Sequence, residues 1–208
     1  MKKILFAVLI VFTLLSCSQQ QEEAKYVCIK PLPSYVSLDS LKDATVPASF
    51  SEAGFRWVNP SLTFDVWIKD LYDAVEVSLM QVGDTLIYQR KPIVVESIDR
   101  DGDVLNINGG IENGGAYLKA YEGGTYRGLQ FDDHSTYTLL GNVNLPLIYD
   151  FRIINCGDMP EDPYDTIVAG QKIYLDSLFN AKVDFNHLNT TILVEKGFIT
   201  EITRKWIP

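Results

Sequence analysis

The sequence predicts a mostly β fold, namely an antiparallel β-sandwich or barrel-like domain with short helical turns. Strand-sized runs rich in Val, Ile, Thr, Tyr and Phe recur about every ten residues, and Gly, Asp, Asn and Pro interrupt them. No long stretch shows the period of an amphipathic helix. Of the 208 residues, 47% are hydrophobic and 22% are charged, which is typical of a globular protein with a substantial core.

The first predicted elements lie between residues 37 and 68. A short amphipathic helix or a turn is expected at residues 37–42. Residues 62–68 alternate apolar and polar side chains as far as Val66, and this alternation predicts a half-buried strand. The alternation ends in the apolar run Val66-Trp67-Ile68.

A meander of four strands is predicted between Val75 and Asn108. Its β-rich runs are separated by short segments with the composition of turns. The clearest strands are residues 85–89, 93–98 and 104–107, with turns at residues 83–84, 90–92 and 101–102.

Further strands are predicted in the C-terminal part of the chain. Residues 145–154 form a long apolar run, in which Pro146 indicates a strand entry or an edge. Residues 174–180 are expected to form a short helix or a turn, and residues 190–195 and 198–205 a hairpin around Lys196-Gly197. No Pro/Ser-rich linker divides the mature region, so residues 26–208 are predicted to form one domain; the alternative boundary is the acidic loop after Cys156.

The N-terminus has the pattern of a secretory signal. Residues 1–16 combine a basic start with an apolar run over residues 4–15, which is shorter than the roughly 20 residues needed to span a bilayer. The run ends in the sequence LLSC, which resembles the lipobox of bacterial lipoprotein precursors. The resemblance implies cleavage before Cys17 and lipid attachment to its sulfur. The alternative is an ordinary secretory signal in which Cys17 is incidental.

Residues 17–25 are then the lipidated cysteine and a polar tether. Residues 18–25 reach about 27 Å when fully extended. Because Ser18 is not Asp, the lipoprotein resemblance favours the outer membrane over the inner one. In some bacterial lineages a short acidic stretch after the lipidated cysteine marks export to the cell surface. Glu22-Glu23 resembles it weakly, so periplasmic and surface display both stay open.

The charge balance constrains the partners of the chain. The net charge of −9 argues against nucleic acid, because neutralising phosphates needs a basic face. Removing residues 1–16 removes Lys2 and Lys3 and no acidic residue, so the mature chain would be still more acidic, and only the lipid on Cys17 would hold it on the membrane. Three Cys and two His are too few for a zinc cluster, and no cofactor is expected.

Two cysteines besides Cys17 remain. Cys28 and Cys156 would share an oxidising compartment, where a disulfide between them is a natural hypothesis. The alternative is that they are two small hydrophobic residues that never meet.

A glycine-rich segment is the first candidate ligand contact. Residues 109–128 hold seven of the fourteen glycines, interleaved with Tyr117, Tyr121 and Tyr126. Glycine permits close backbone approach, and tyrosines stack on sugar rings or pack on peptides. The alternative is a set of tight turns between short strands, with the tyrosines half buried.

Acidic segments supply the remaining candidates. Asp132, Asp133 and His134 place carboxylates beside an imidazole, as an acid–base or metal pair would need, although a turn that bonds its own backbone explains them as well. Residues 99–103 resemble the start of a calcium loop, but the glycine comes too early, and a hairpin turn is expected. The weak Ca²⁺ candidates are Asp158, Glu161, Asp162 and Asp165.

The sequence suggests a function only in outline. The segments around residues 71–98, 131–137 and 188–208 are similar to uncharacterised bacterial envelope lipoproteins, which lend no functional residues. The expectation is a lipid-anchored envelope protein whose β domain binds an envelope protein or a glycan, or has a structural role, rather than catalysing a reaction. The alternatives are a hydrolase that uses Asp132, Asp133 and His134, and an inhibitor-type or immunity-type lipoprotein.

Overall fold

The computed structural model of the protein describes residues 26–34, 36–155, 165–167 and 171–207. The described chain is mostly β with short helices, which confirms the predicted fold class. Its α-helices are α1 (Ala74–Leu79) and α2 (Gln171–Asn180). Its strands are β1 (Cys28–Ile29), β2 (Ala44–Ser49), β3 (Phe55–Arg56), β4 (Ser61–Lys69), β5 (Leu71–Asp73), β6 (Thr85–Tyr88), β7 (Lys91–Val94), β8 (Ile98–Asp101), β9 (Val104–Ile107), β10 (Ala116–Tyr121), β11 (Thr125–Leu129), β12 (Tyr137–Asn155), β13 (Asp165–Ile167), β14 (Thr190–Glu195) and β15 (Phe198–Arg204).

A small barrel closes from β2, β4, β12, β14 and β15. β4 pairs antiparallel with β2 and β12, and β14 pairs antiparallel with β2 and β15. The circle closes where β15 runs parallel to β12. Alternate side chains of β4, namely Leu62, Phe64 and Val66, are fully buried in the core, as the alternation of its sequence predicts. The predicted C-terminal hairpin is confirmed by β14 and β15.

The strand β12 pairs first with one strand and then with another, which explains its length of 19 residues. It pairs with β4 as far as Pro146, opposite Ser61, and pairs with β15 from Leu147, opposite Ile199. Pro146 thus lies inside a strand, so the prediction that it marks a strand entry is wrong, whereas the alternative of an edge position agrees with its pairing to β4 alone. A proline has no N–H to give to a ladder, and here it stands where the ladder changes partner.

A second hydrophobic core is built by β1 together with the chain between β4 and β12. The strands β5, β11, β10, β9 and β8 form one antiparallel sheet in that order, and β1, β6 and β7 form another. Large side chains such as Tyr72, Leu105 and Leu118 are fully buried between them. The prediction of one domain over residues 26–208 stays a prediction.

The predicted four-stranded meander is only partly correct. Its first segment, α1, is a helix, because the Asp73 carboxylate accepts hydrogen bonds from the backbone N–H groups of Val75 and Glu76 at 2.8 and 3.0 Å. The strand predicted at residues 93–98 is split between β7 and β8 in different sheets. The hairpin turn predicted at residues 99–103 is confirmed by the pairing of β8 with β9.

Two of the passages between the two cores, from β4 to β5 and from β11 to β12, meet at a crossing formed by Asp70, Gly128 and Thr136. The Asp70 N–H donates to the Thr136 carbonyl at 3.0 Å, and the Gly128 N–H donates to the Asp70 carbonyl at 3.1 Å. The Thr136 N–H completes the set by donating to the Gly128 carbonyl at 2.8 Å. A side chain at Gly128 would collide with the Thr136 hydroxyl, so glycine is required here for close approach.

Candidate binding groove

A groove opens on the barrel where the ladder between β2 and β4 stops. In the described chain this ladder consists of the pairs Ala48 with Val66 and Ser49 with Asp65. Continuing the register would place Pro47 next, and a proline has no N–H to donate. The two strands therefore separate beyond this point, and the groove occupies the gap.

The groove has a volume of about 370 Å³, which lies in the range of small ligand sites. Residues 45–47 of β2 form one wall, residues 67–69 of β4 form the other, and residues 32–34 and Val36 lie at its edge. This edge is tied down by the Leu32 N–H, which donates to the Leu71 carbonyl at 2.6 Å. The lining residues are Leu32, Pro33, Ser34, Val36, Thr45, Val46, Pro47, Trp67, Ile68, Lys69, Leu71 and Tyr121.

Lys69 is the charged side chain of this largely apolar lining. Lys69 is a half-buried residue, and its ammonium donates to the Tyr121 hydroxyl at 3.0 Å and lies 4.4 Å from the centre of the Tyr121 ring. Among the described residues, no carboxylate lies within ion-pair distance of Lys69. A phenol and a ring face carry no net negative charge, so the ammonium lacks a full counter-charge and the groove retains an attraction for an anion.

An aromatic stack supports the Lys69 wall. The Trp67 and His187 rings are stacked with centroids 4.0 Å apart, and Tyr137 meets His187 edge-on at 5.2 Å. The Trp67 indole N–H donates to the Ser49 hydroxyl at 2.9 Å, which fixes the orientation of the ring. Burial lowers the pKa of His187, which Asp184 only partly opposes, and the ring is thereby kept neutral against the indole.

The structure separates the three predicted tyrosines. Tyr121 lines the groove. Tyr117 donates its hydroxyl to Glu112 at 3.0 Å, a contact that raises its pKa, and it lies over Gly110 outside the groove. Tyr126 packs against the second core. The glycine-rich segment forms turns, in which Gly109, Gly110, Gly114, Gly123 and Gly124 have positive φ.

The acidic residues beside His134 lie in a turn. Asp132 and Asp133 both have positive φ, and Asp133 pairs with Lys119 at 3.1 Å and with Arg127 at 2.8 Å. These two cations hold the Asp133 pKa below its usual value. In the part of the chain that the structure describes, no hydrogen bond joins His134 to Asp132 or Asp133. The geometry thus gives Asp133 an ion-pair contact with Lys119 and Arg127.

Several predicted site residues lie outside the described residues, and Cys17 is one of them. Cys28 is exposed in β1, whereas its predicted partner Cys156 is outside the described residues. The calcium candidates Asp158, Glu161 and Asp162 are outside them as well, and Asp165 begins β13, opposite Asn155.

Two further features are absent from the described residues. No group of three or more His, Cys, Asp or Glu side chains in residues 26–34, 36–155, 165–167 and 171–207 is placed to hold a metal ion. Within the same ranges, no helix has both the length and the apolar character needed to cross a membrane.

The sequence interpretation missed Trp67 and Lys69 as site residues. The signal for Trp67 was present, because the alternation of β4 breaks in the run Val66-Trp67-Ile68. The contribution of Pro47 had no local signal, since it depends on the register between β2 and β4. Comparisons with protein-family models, with curated proteins and with solved structures found no match to the chain.

Proposed function

We propose that the protein is a lipid-anchored envelope protein that binds a ligand in the groove between β2 and β4. The observation that carries the binding role is the groove itself, an apolar cleft in which Trp67, Lys69 and Tyr121 converge. A binding cleft of this kind combines apolar area with a few oriented polar groups. The anchoring role rests on the lipobox resemblance at Cys17 and on the polar residues that follow it.

The proposed partner is an envelope protein or a glycan displayed at the outer membrane. Periplasmic and surface display are both compatible with the proposal. The tether before Tyr26 would leave that residue within about 27 Å of the bilayer. Membrane attachment runs through the lipid on Cys17, because the acidic chain is repelled by anionic headgroups.

Anchoring is tested by replacing Cys17 with Ala. Wild-type cells labelled with radioactive palmitate should carry label on the protein and retain it in the membrane fraction. Cys17→Ala should lose both the label and membrane retention. If the wild type takes no label and the variant stays in the membrane fraction, the anchor is rejected.

Binding is tested by a photo-crosslinking amino acid introduced at Tyr121 in living cells. The matched control is the same amino acid at Tyr149, which is 98% exposed on the outside of β12 and lies outside the groove. We expect a specific adduct from position 121 that is absent from position 149 and disappears when Trp67 is replaced by Ala. Equal adducts from both positions, or none from position 121, would reject the groove as the binding site.

A further inference from the structure

We infer that the groove takes an extended, apolar peptide segment of a partner protein whose carboxylate pairs with the Lys69 ammonium. This inference rests on the proposed function, because it names the chemistry of the ligand for the same groove. Three features of the walls support it, namely the interrupted ladder, the apolar lining and the uncompensated charge.

The interrupted ladder favours an extended backbone. Residues 67–69 of β4 pair with β12 on one side, and across the groove they face residues 45–47 of β2 without a ladder. A β-strand whose neighbour has separated from it offers backbone donors and acceptors on the open side. Peptides bind such edges by adding a strand, with alternate side chains entering pockets. A sugar ring has no equivalent way to use a strand edge.

The apolar lining favours a peptide over a glycan. Pro33, Val36, Pro47 and Leu71 line the groove, and the side chains that offer hydrogen bonds are few. Each sugar hydroxyl that is buried without a hydrogen-bond partner makes the binding free energy less favourable. Burial of apolar peptide side chains makes it more favourable. The lining thus selects Val, Ile, Leu or aromatic side chains.

The uncompensated charge of Lys69 indicates that the peptide carries a carboxylate. Lys69 has a hydroxyl and a ring face as its neighbours and, among the described residues, no carboxylate partner in a chain of net charge −9. A carboxylate entering the groove would accept a charge-assisted hydrogen bond from the ammonium. The ammonium would then donate to both the carboxylate and the Tyr121 hydroxyl. The chain terminus of the partner, or the side chain of an Asp or Glu, supplies the same group.

The test measures peptide binding to the protein in lipid nanodiscs, with empty nanodiscs as the blank. The probes are fluorescein-labelled hexapeptide mixtures of Val, Ile, Leu and Tyr in three forms, with a free C-terminal carboxylate, with a C-terminal amide, and with a Glu before a C-terminal amide. Fluorescence anisotropy should show binding of at least one carboxylate form. Preference for the free terminus or for the Glu form identifies the source of the carboxylate.

Lys69→Met removes the charge while keeping the apolar stem, and Lys91→Met is the matched control on the exposed strand β7. We expect the carboxylate peptide to bind Lys69→Met about tenfold to a hundredfold more weakly, with no change for Lys91→Met and recovery for Lys69→Arg. Circular dichroism of each variant establishes that it is folded.

Outcomes that overturn the inference are distinct from those that reject the groove. If amide and carboxylate peptides bind equally, or if Lys69→Met and Lys91→Met lose the same affinity, the carboxylate assignment is wrong. A glycan adduct from position 121 would support the groove and overturn the peptide. Absence of any adduct at position 121 would reject the groove together with its ligand.

Discussion

Asp70→Asn should stabilise the protein at neutral pH. Asp70 is 1% exposed at the crossing between the two cores, and neither carboxylate oxygen has a hydrogen bond of good geometry among the described residues, although the Thr138 and Thr136 hydroxyls lie beside it. Burial raises the pKa of Asp70, and the opposing effects of these two hydroxyls and of the Arg90 charge are smaller. A buried polar group without a partner costs about 1–3 kcal/mol, and more when it is charged. The neutral amide can also donate to the unpaired Thr136 hydroxyl, so we expect a gain of about 1–3 kcal/mol in the free energy of unfolding.

The gain should depend on pH in a defined direction. The folded-state pKa of Asp70 lies above the ordinary value of 3.8, so the native state binds more protons between these two values. The stability of the wild type therefore falls as pH rises from 3.8 through the folded-state pKa, and levels off above it. The stability of Asp70→Asn does not fall in this way as pH rises. The wild type and the variant should therefore have similar stabilities near pH 3.5 and differ most at neutral pH.

Urea unfolding followed by tryptophan fluorescence at several pH values between about 3.5 and 8 would measure this difference. Asp150→Asn, an exposed position on β12, is the control for the loss of one negative charge from an acidic protein. The reasoning is refuted if Asp70→Asn destabilises the protein at pH 7, or if its gain is as large at pH 3.5 as at pH 7. An equal gain for Asp150→Asn would assign the effect to net charge.

Three further substitutions test the same physical reasoning. Asp84 is buried, but its carboxylate accepts from the Val27 and Gln81 N–H groups at 2.8 Å, so Asp84→Asn should lower the free energy of unfolding by about 1.5–3 kcal/mol in urea titrations. Because the His187 pKa is lowered, wild-type stability should fall as pH drops below about 6.5, and His187→Phe, which keeps the aromatic stack, should lose this dependence between pH 5 and pH 7.5. Gly128→Ala should lower the melting temperature through a loss of about 1–3 kcal/mol, because the new methyl group has no room at the crossing; an unchanged melting temperature would contradict the close packing.

Local periodicity was sufficient to predict parts of the barrel. The alternation in residues 62–66 places Leu62, Phe64 and Val66 inside, and the turn at Lys196-Gly197 joins the C-terminal hairpin. Both features depend on neighbours within a few residues, so the sequence carries them directly. The closure of the barrel depends instead on β12 changing partner, which no local pattern encodes.

The same distinction separates the site residues that were predicted from those that were missed. Tyr121 was predicted from its aromatic character beside glycines, although Tyr117 and Tyr126 share that character and lie outside the groove. What distinguishes Tyr121 is its contact with Lys69, which lies in a different sheet and is 52 positions away in the sequence. The α1 helix was missed for a local reason, since its β-branched residues favour a strand while the Asp73 cap favours a helix.

The alternation of side chains explains why the groove keeps its charge. Lys69 and Asp70 are consecutive and carry opposite charges, but successive side chains of an extended chain point to opposite sides. The Lys69 ammonium therefore enters the groove, whereas the Asp70 carboxylate is buried at the crossing, and neither compensates the other. Burial raises the pKa of Asp70, whereas the ammonium has a phenol and a ring face as its neighbours. An anion bound in the groove would supply the opposite charge that Lys69 lacks among the described residues.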